Sequence, residues 1–203
     1  RQIWRSLARS NVKCDSNFFL SLSFSLISIF IITKETHSSW TNLHYSIISM
    51  LEFNLFGISL VGADICGFHG NTSLELCARW YQVGAFYPFS INHNNENNIE
   101  QDPGALGEPV LSAARRALDI RYELLPFYYT LFYKSHQFGN TVTRALFHEY
   151  YIFSSSSYFS SYLNIKNFVY KYRFPFDNNT YKIDKQFLVG PCLLISPVLA
   201  PDA

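Results

Sequence analysis

Residues 51–94 read LEFNLFGISLVGADICGFHGNTSLELCARWYQVGAFYPFSINHN, and this stretch decides the fold that we predict. The segment 58–65 is apolar up to Asp64, which is typical of a buried strand that ends on a carboxylate. A helical spacing of apolar residues then runs through Leu74, Leu76, Cys77, Trp80 and Tyr81. Barrel enzymes place the groups of their active sites at the C-terminal ends of such strands. The stretch therefore predicts a βα unit with a candidate site at Asp64.

The sequence on either side continues this alternation of helices and strands. A helix is predicted to begin near Thr41, and a long amphipathic helix over 109–136, with Pro109 at its start and Gly139 at its end. The polar run 92–100 predicts a loop, and 189–199 predicts two short β segments. The order indicates an α/β protein, either a βα barrel or a doubly wound sheet.

Composition excludes several classes of protein. With 203 residues the chain can bury a sizeable core, and a hydrophobic share of 48% excludes disorder throughout. The net charge of +1 gives no indication of nucleic-acid binding. Only 15% of residues are charged whereas 18% are aromatic, which favours a chain that is part of a larger assembly.

Two segments do not fit the α/β pattern. Residues 18–33 carry no charge but are shorter than the roughly 20 residues that cross a bilayer. They could form a signal or membrane-anchor segment, a buried strand pair, or sequence foreign to the fold. Residues 151–173 are rich in Ser, Tyr and Phe without a helix or strand period. We therefore separate 1–33 from the fold, treat 151–173 as an irregular insert, and hypothesise that both are translated non-coding sequence.

The four cysteines lack the close spacing of a zinc site, and only Cys66 and Cys77 are near each other in sequence. Two glycosylation sequons, at Asn71 and Asn178, accompany them. Together these features favour an oxidising compartment of the secretory pathway.

Two residues could contribute to a site, although each has a structural alternative. Asp64 could instead cap a helix or pair with Arg79. His93 follows the next candidate strand and could face the same end of the sheet as Asp64, or be an ordinary loop histidine.

The elements GADICGF, CARWYQVGAFYPF and INHN resemble the family 31 glycoside hydrolases, the family of the α-glucosidases. The similarity continues through RYELLP at 121–126 and TRALF at 143–147, and resumes over 174–199. It implies the last strands and helices of a (β/α)8 barrel over 34–140. The start of a β-rich C-terminal domain would follow over 141–203.

The resemblance also implies roles for individual residues. Asp64, Phe68 and His93 would bind the terminal glucose of an α-glucoside oligosaccharide. Cys66 and Cys77 would form a disulfide, and Asn71 would carry a glycan. The chain departs from the family at Ile91, where the family has arginine.

Of the two catalytic carboxylates that the resemblance implies, only one has a candidate in this sequence. Counting back from Trp40 aligns Glu35 with the family's acid/base aspartate, whereas the WxDMNE segment of the nucleophile does not occur in this sequence. A retaining mechanism needs two carboxyls about 5 to 5.5 Å apart. We therefore predict a fragment of a retaining α-glucosidase that is inactive alone and uses no metal or organic cofactor. The alternative is a catalytically inactive carbohydrate-binding or partner subunit.

Overall fold

The computed structural model describes residues 31–32, 36–148 and 178–202. Glu35, the segment before Ile31 and the insert 151–173 lie outside these ranges. The helices are α1 (Trp40–Leu55), α2 (Leu74–Gly84), α3 (Pro103–Leu106) and α4 (Val110–Phe138), with 3₁₀ turns at Leu146–His148 and Asn178–Lys182. The strands are β1 (Ile31–Ile32), β2 (Val61–Gly62), β3 (Thr143–Arg144), β4 (Phe187–Val189) and β5 (Leu193–Ile195).

The predicted helices are confirmed. Helix α1 begins after Ser39, whose hydroxyl accepts a hydrogen bond from the backbone of Asn42. Helix α4 ends at Gly139, which adopts the left-handed conformation that closes many helices. Within the described ranges, no helix combines the length and apolar character that a bilayer crossing requires.

Three chain segments run side by side in parallel and present their ends together. Strand β1 pairs with β2, with Ile31 opposite Val61. The contact continues where the backbone N–H of Phe68 donates to the carbonyl of Thr36 over 2.6 Å. On the other side of β2, an isolated bridge joins Asp64 to Ile91. Among the described residues, the order across the sheet is therefore 31–32 and 36–38, then 61–69, then 89–95.

The predicted strand over 58–65 is shorter than expected, because regular pairing is limited to Val61–Gly62. Gly62 is required where this strand meets the next one, since a Cβ there would lie 1.8 Å from the carbonyl oxygen of Phe89. Gly84 of α2 likewise admits Ile65, whose side chain would be 2.5 Å from an added Cβ. The close approach of Phe89 to Gly62 and of Ile65 to Gly84 thus constrains the position of the segment that ends at Asp64.

The C-terminal residues form an antiparallel sheet in the order β3-β4-β5. Strand β5 confirms one of the two β segments predicted over 189–199, whereas β4 lies earlier than predicted and overlaps that range only at Val189, because residues 190–192 form the turn between the two strands. The sheet packs on α4, since a Cβ at Gly190 would lie 2.8 Å from Leu131. Buried Asn54 of α1 joins it to the first half of the chain, because its Oδ1 accepts hydrogen bonds from the backbone of Val142 and Thr143.

Candidate functional site

Asp64, Phe68 and His93 lie at the adjacent ends of two parallel strand segments. The N–H of Ile65 donates to the carbonyl of Ile91 over 2.9 Å, which aligns the two ends. The rings of Phe68 and His93 are in contact, with centroids 5.3 Å apart and planes inclined by 45°. The backbone of Ile91 thus aligns the two strand ends, whatever its side chain.

The carboxylate of Asp64 is buried, with 2% of the residue exposed to solvent. Burial raises its pKa to about 6, and the nearby His93 partly opposes this rise. Its Oδ1 accepts no hydrogen bond from the described residues. The helix-cap alternative does not hold for α2, because Ser73 caps that helix. A buried acceptor without a partner is costly, and hydroxyl donors of a ligand would satisfy it.

The loop 64–68 is held by a covalent bond and by backbone packing. Cys66 forms a disulfide with Cys77 of α2, and the two Cα atoms are 4.6 Å apart. This confirms the pairing that the resemblance implies. Gly67 has φ +91, and a Cβ there would lie 2.6 Å from the backbone of Ser38. Only glycine therefore fits at this position without displacing the neighbouring segment.

The loop 92–100 is held by side-chain amides. Buried Gln101 donates from Nε2 to the carbonyls of Ile65 and Gly67 over 3.0 and 3.1 Å. The same nitrogen lies 2.8 Å from Oδ1 of Asn92, so these three acceptors share its two N–H groups. Asn92 in turn donates to the hydroxyl of Tyr81. Sequence reasoning missed this network, since Gln101 follows a polar loop and nothing in its type or spacing marks it as buried.

Helix α4 holds the segment that leads into the strand before His93. The guanidinium of Arg121 donates to the carbonyls of Ala85 and Tyr87 over 2.7 and 2.6 Å, and to that of Pro88 over 3.1 Å. The hydroxyl of Tyr128 donates to the carbonyl between the first two, that of Phe86. Four consecutive carbonyls are therefore bound by two side chains.

Two histidines extend the ring contacts beyond the three site residues. His69 packs edge-on against Phe68 at 4.8 Å, and His37 lies 5.4 Å from His69. Among the described residues, no group of three or more His, Cys, Asp or Glu side chains could hold a metal ion.

The glycosylation candidate Asn71 lies on the surface of the described residues. Asn71 is exposed, and its Oδ1 accepts a hydrogen bond from the backbone of Ile99 over 3.0 Å. Its exposure leaves it accessible for modification. The acid/base candidate Glu35 lies outside the described residues.

Comparison with protein families identifies the chain. The family model described as "Glycosyl hydrolases family 31 TIM-barrel domain" matches residues 30–131, and "Glycosyl hydrolase family 31 C-terminal domain" matches residues 165–203. The chain belongs to glycosyl hydrolase family 31. The α/β structure described above agrees with that assignment.

Two curated proteins of the comparison are similar in sequence to this chain. Lysosomal alpha-glucosidase of Mus musculus is 47% identical over 169 residues, which cover 83% of this chain and 15% of that protein. Intestinal sucrase-isomaltase of Homo sapiens is 48% identical over 168 residues, which cover 82% of this chain and 8% of that protein. The chain thus spans a small part of the length of the curated relatives that it matches.

Solved structures of the family are similar in fold. The glucosidase II alpha subunit bound to Glc1Man2 superposes with a TM-score of 0.69 at 31% identity, covering 84% of this chain and 16% of that one. The family 31 alpha-glucosidase from Bacteroides thetaiotaomicron superposes with a TM-score of 0.66 at 32% identity, covering 84% of this chain and 25% of that one.

Proposed function

We propose that this chain forms one side of the glucose-binding pocket of a retaining α-glucosidase of family 31. The observation that carries the proposal is the buried Asp64 carboxylate, whose Oδ1 has no partner among the described residues. The rings of Phe68 and His93 touch each other at the same strand ends.

A hexose matches this set of groups chemically. Its hydroxyls donate hydrogen bonds that an ionised carboxylate accepts, and the imidazole of His93 can exchange a further hydrogen bond with a hydroxyl. The apolar C–H face of the ring can pack on Phe68. One carboxylate, one aromatic ring and one imidazole thus provide the contacts that orient a single sugar.

Names of the relatives support the substrate class. Several are α-glucosidases, so we propose a terminal α-linked glucose of an oligosaccharide or glucan as the ligand. The disulfide between Cys66 and Cys77 favours an oxidising compartment, and relatives include a lysosomal enzyme. We therefore place the protein in the secretory pathway, with a glycan on Asn71.

The proposed chemistry needs two carboxyls with different tasks. In retaining hydrolysis one carboxylate attacks the anomeric carbon while a second carboxyl group, as general acid, protonates the leaving oxygen. Water then cleaves the glycosyl ester, and the residue that served as the acid now acts as the base. We assign Glu35 to the acid/base position. Asp64 has the separate task of binding hydroxyls. The printed sequence contains no WxDMNE nucleophile segment, so we expect the 203-residue chain to bind glucose without hydrolysing a glucoside.

The proposed domains follow the same division. Residues 34–140 would belong to the last part of the barrel, which the parallel contacts of the three strand segments support. Residues 141–203 would begin the β-rich domain, which the antiparallel sheet β3-β4-β5 supports.

The test uses the full 203-residue chain with p-nitrophenyl α-D-glucopyranoside as substrate and glucose as ligand. We expect saturable glucose binding, no release of p-nitrophenol, and loss of binding in Asp64→Asn. Asp119→Asn, an exposed carboxylate on α4, is the matched control and should bind as the wild type does. Turnover by the chain, or undiminished binding in Asp64→Asn, would contradict the proposal.

A further inference from the structure

Gln101 is a buried polar residue to which the proposed sugar contacts give no task. Only 4% of it is exposed, yet it lies directly after the polar loop. Its Nε2 lies within 3.0 and 3.1 Å of the carbonyl oxygens of Ile65 and Gly67, 2.8 Å from Oδ1 of Asn92, and 3.4 Å from the carbonyl oxygen of His93. One amide nitrogen therefore contacts both loops of the candidate pocket.

The surroundings fix the orientation of this amide. Three of the four neighbouring atoms are backbone carbonyl oxygens, which only accept hydrogen bonds, so the nitrogen of Gln101 and not its oxygen must face them. At the other end, the backbone carbonyl of Gln101 accepts from Nδ2 of Asn92 over 2.8 Å. Asn92 is anchored in turn to the hydroxyl of Tyr81 on α2 over 2.6 Å.

Two other bonds between the two loops lie nearer to solvent. The backbone of Asn95 and the side chain of Asn98 both donate to the carbonyl of Phe68, over 3.0 and 2.7 Å. Both asparagines are half-buried, so water can compete for their bonds. Gln101 is shielded from water, and its acceptors would stay unsatisfied if its donor were removed.

We propose that Gln101 is a positioning residue that fixes the loop of Asp64 and Phe68 against the loop of His93. Its contribution to sugar binding rests on the proposed function, whereas its effect on the Phe68–His93 ring contact does not. Ile65 directly follows Asp64 and Gly67 directly precedes Phe68, so the contacts of one side chain with their carbonyls set the spacing of both halves of the pocket.

The decisive variant is Gln101→Met in the full 203-residue chain. Methionine keeps the length and approximate volume of glutamine but has no N–H donor. We expect the nuclear Overhauser contacts between the rings of Phe68 and His93 to be lost. Amide exchange at 65–68 and 92–94 should accelerate at least tenfold, with glucose affinity at least tenfold weaker. Exchange within α4 should stay as in the wild type.

Two further variants make the result unambiguous. Gln82→Met changes an exposed glutamine on α2 and should leave both ring contact and affinity unchanged. Tyr81→Phe removes only the hydroxyl that anchors Asn92, and we expect a several-fold loss of affinity; it also serves if Gln101→Met does not fold. The proposal would be overturned if Gln101→Met kept both the Phe68–His93 ring contact and the glucose affinity of the wild type. If Gln101→Met does not fold, the same result in Tyr81→Phe would overturn it.

The two proposals fail in different ways. If the wild-type chain does not bind glucose but its ring contact depends on Gln101, the proposed function fails and the positioning role stands. If the wild type binds glucose and Gln101→Met keeps both the ring contact and the affinity, the positioning role fails and the function stands.

Discussion

The two loops that form the candidate sugar site are held by different forces. The loop 64–68 is tied to α2 through the disulfide of Cys66 and Cys77 and by the close backbone approach at Gly67. The loop 92–100 depends on the side-chain hydrogen bonds of Asn92 and Gln101. A redox change should therefore loosen the first loop selectively, whereas loss of the buried Gln101 donor, which contacts both loops, should loosen both.

Removing the disulfide should have the largest effect. Replacing Cys66 and Cys77 together by serine should lower the free energy of unfolding by about 3 kcal/mol, because the unfolded chain regains the entropy of the loop between them. Chemical denaturation measures this loss, and hydrogen exchange should rise at 64–68 before it rises at 92–100.

Cys192→Ser is the control for that experiment, since Cys192 is exposed and its thiol is free. It should leave the unfolding free energy unchanged. Equal acceleration of exchange in both loops of the double serine variant would remove the distinction drawn between them.

Loss of the Arg121 side chain should have the next largest effect, on the segment 85–88 that leads toward the second loop. Arg121→Met removes charged donors from three carbonyls of the segment 85–88 and should cost about 2 to 3 kcal/mol. Hydrogen exchange should accelerate at 85–93. Arg116→Met is matched on the same helix, where Arg116 donates to the carbonyl of Ser112, and should change stability by less than about 0.5 kcal/mol. A comparable loss in both variants would show that the carbonyl contacts are not responsible.

The pH dependence of stability should distinguish the Asp64 loop from its neighbour. Burial raises the pKa of Asp64 from 3.8 to about 6, so between these values the folded state binds the proton more tightly than the unfolded state. The free energy of unfolding should therefore fall by about 1 to 2 kcal/mol as the pH rises from about 4 to about 6. Denaturation of Asp64→Asn over the same range should lack this component. An unchanged slope in that variant would assign the titration to another group.

The smallest effect is expected at the cap of α2, which follows the first loop. Ser73 accepts a hydrogen bond from the backbone of Leu76, and Ser73→Ala should cost about 1 kcal/mol. Ser73→Asp keeps an acceptor and should retain stability, although both variants remove the sequon of Asn71. When the two variants are expressed in a secretory host, both should lack the mass of the glycan. Only the alanine variant should have a lower melting temperature. Equal melting of the two would place the effect in the glycan and not in the cap.

Sequence patterns were sufficient for features that depend on local spacing. The helical periods predicted α1, α2 and α4, because each buries one apolar stripe, and the Gly139 signal placed the end of α4 correctly. The motifs around Asp64 and His93 identified the family.

Features that depend on long-range contacts were not predictable in this way. Gln101 reaches Ile65 across 36 positions, and Arg121 reaches Ala85 across the same separation. Their residue types are common on surfaces, and burial by distant elements decides their roles. The strand over 58–65 was overestimated because an apolar run indicates burial, whereas regular pairing also depends on the partner segment.

A glucose titration of the isotope-labelled chain, followed residue by residue by NMR, tests the sugar site most directly. The account predicts saturable shifts concentrated at 64–68 and 92–94, including the side chains of Asp64, Phe68 and His93, and their disappearance in Asp64→Asn. Saturable shifts at other residues only, or no saturable shifts at all, would contradict it.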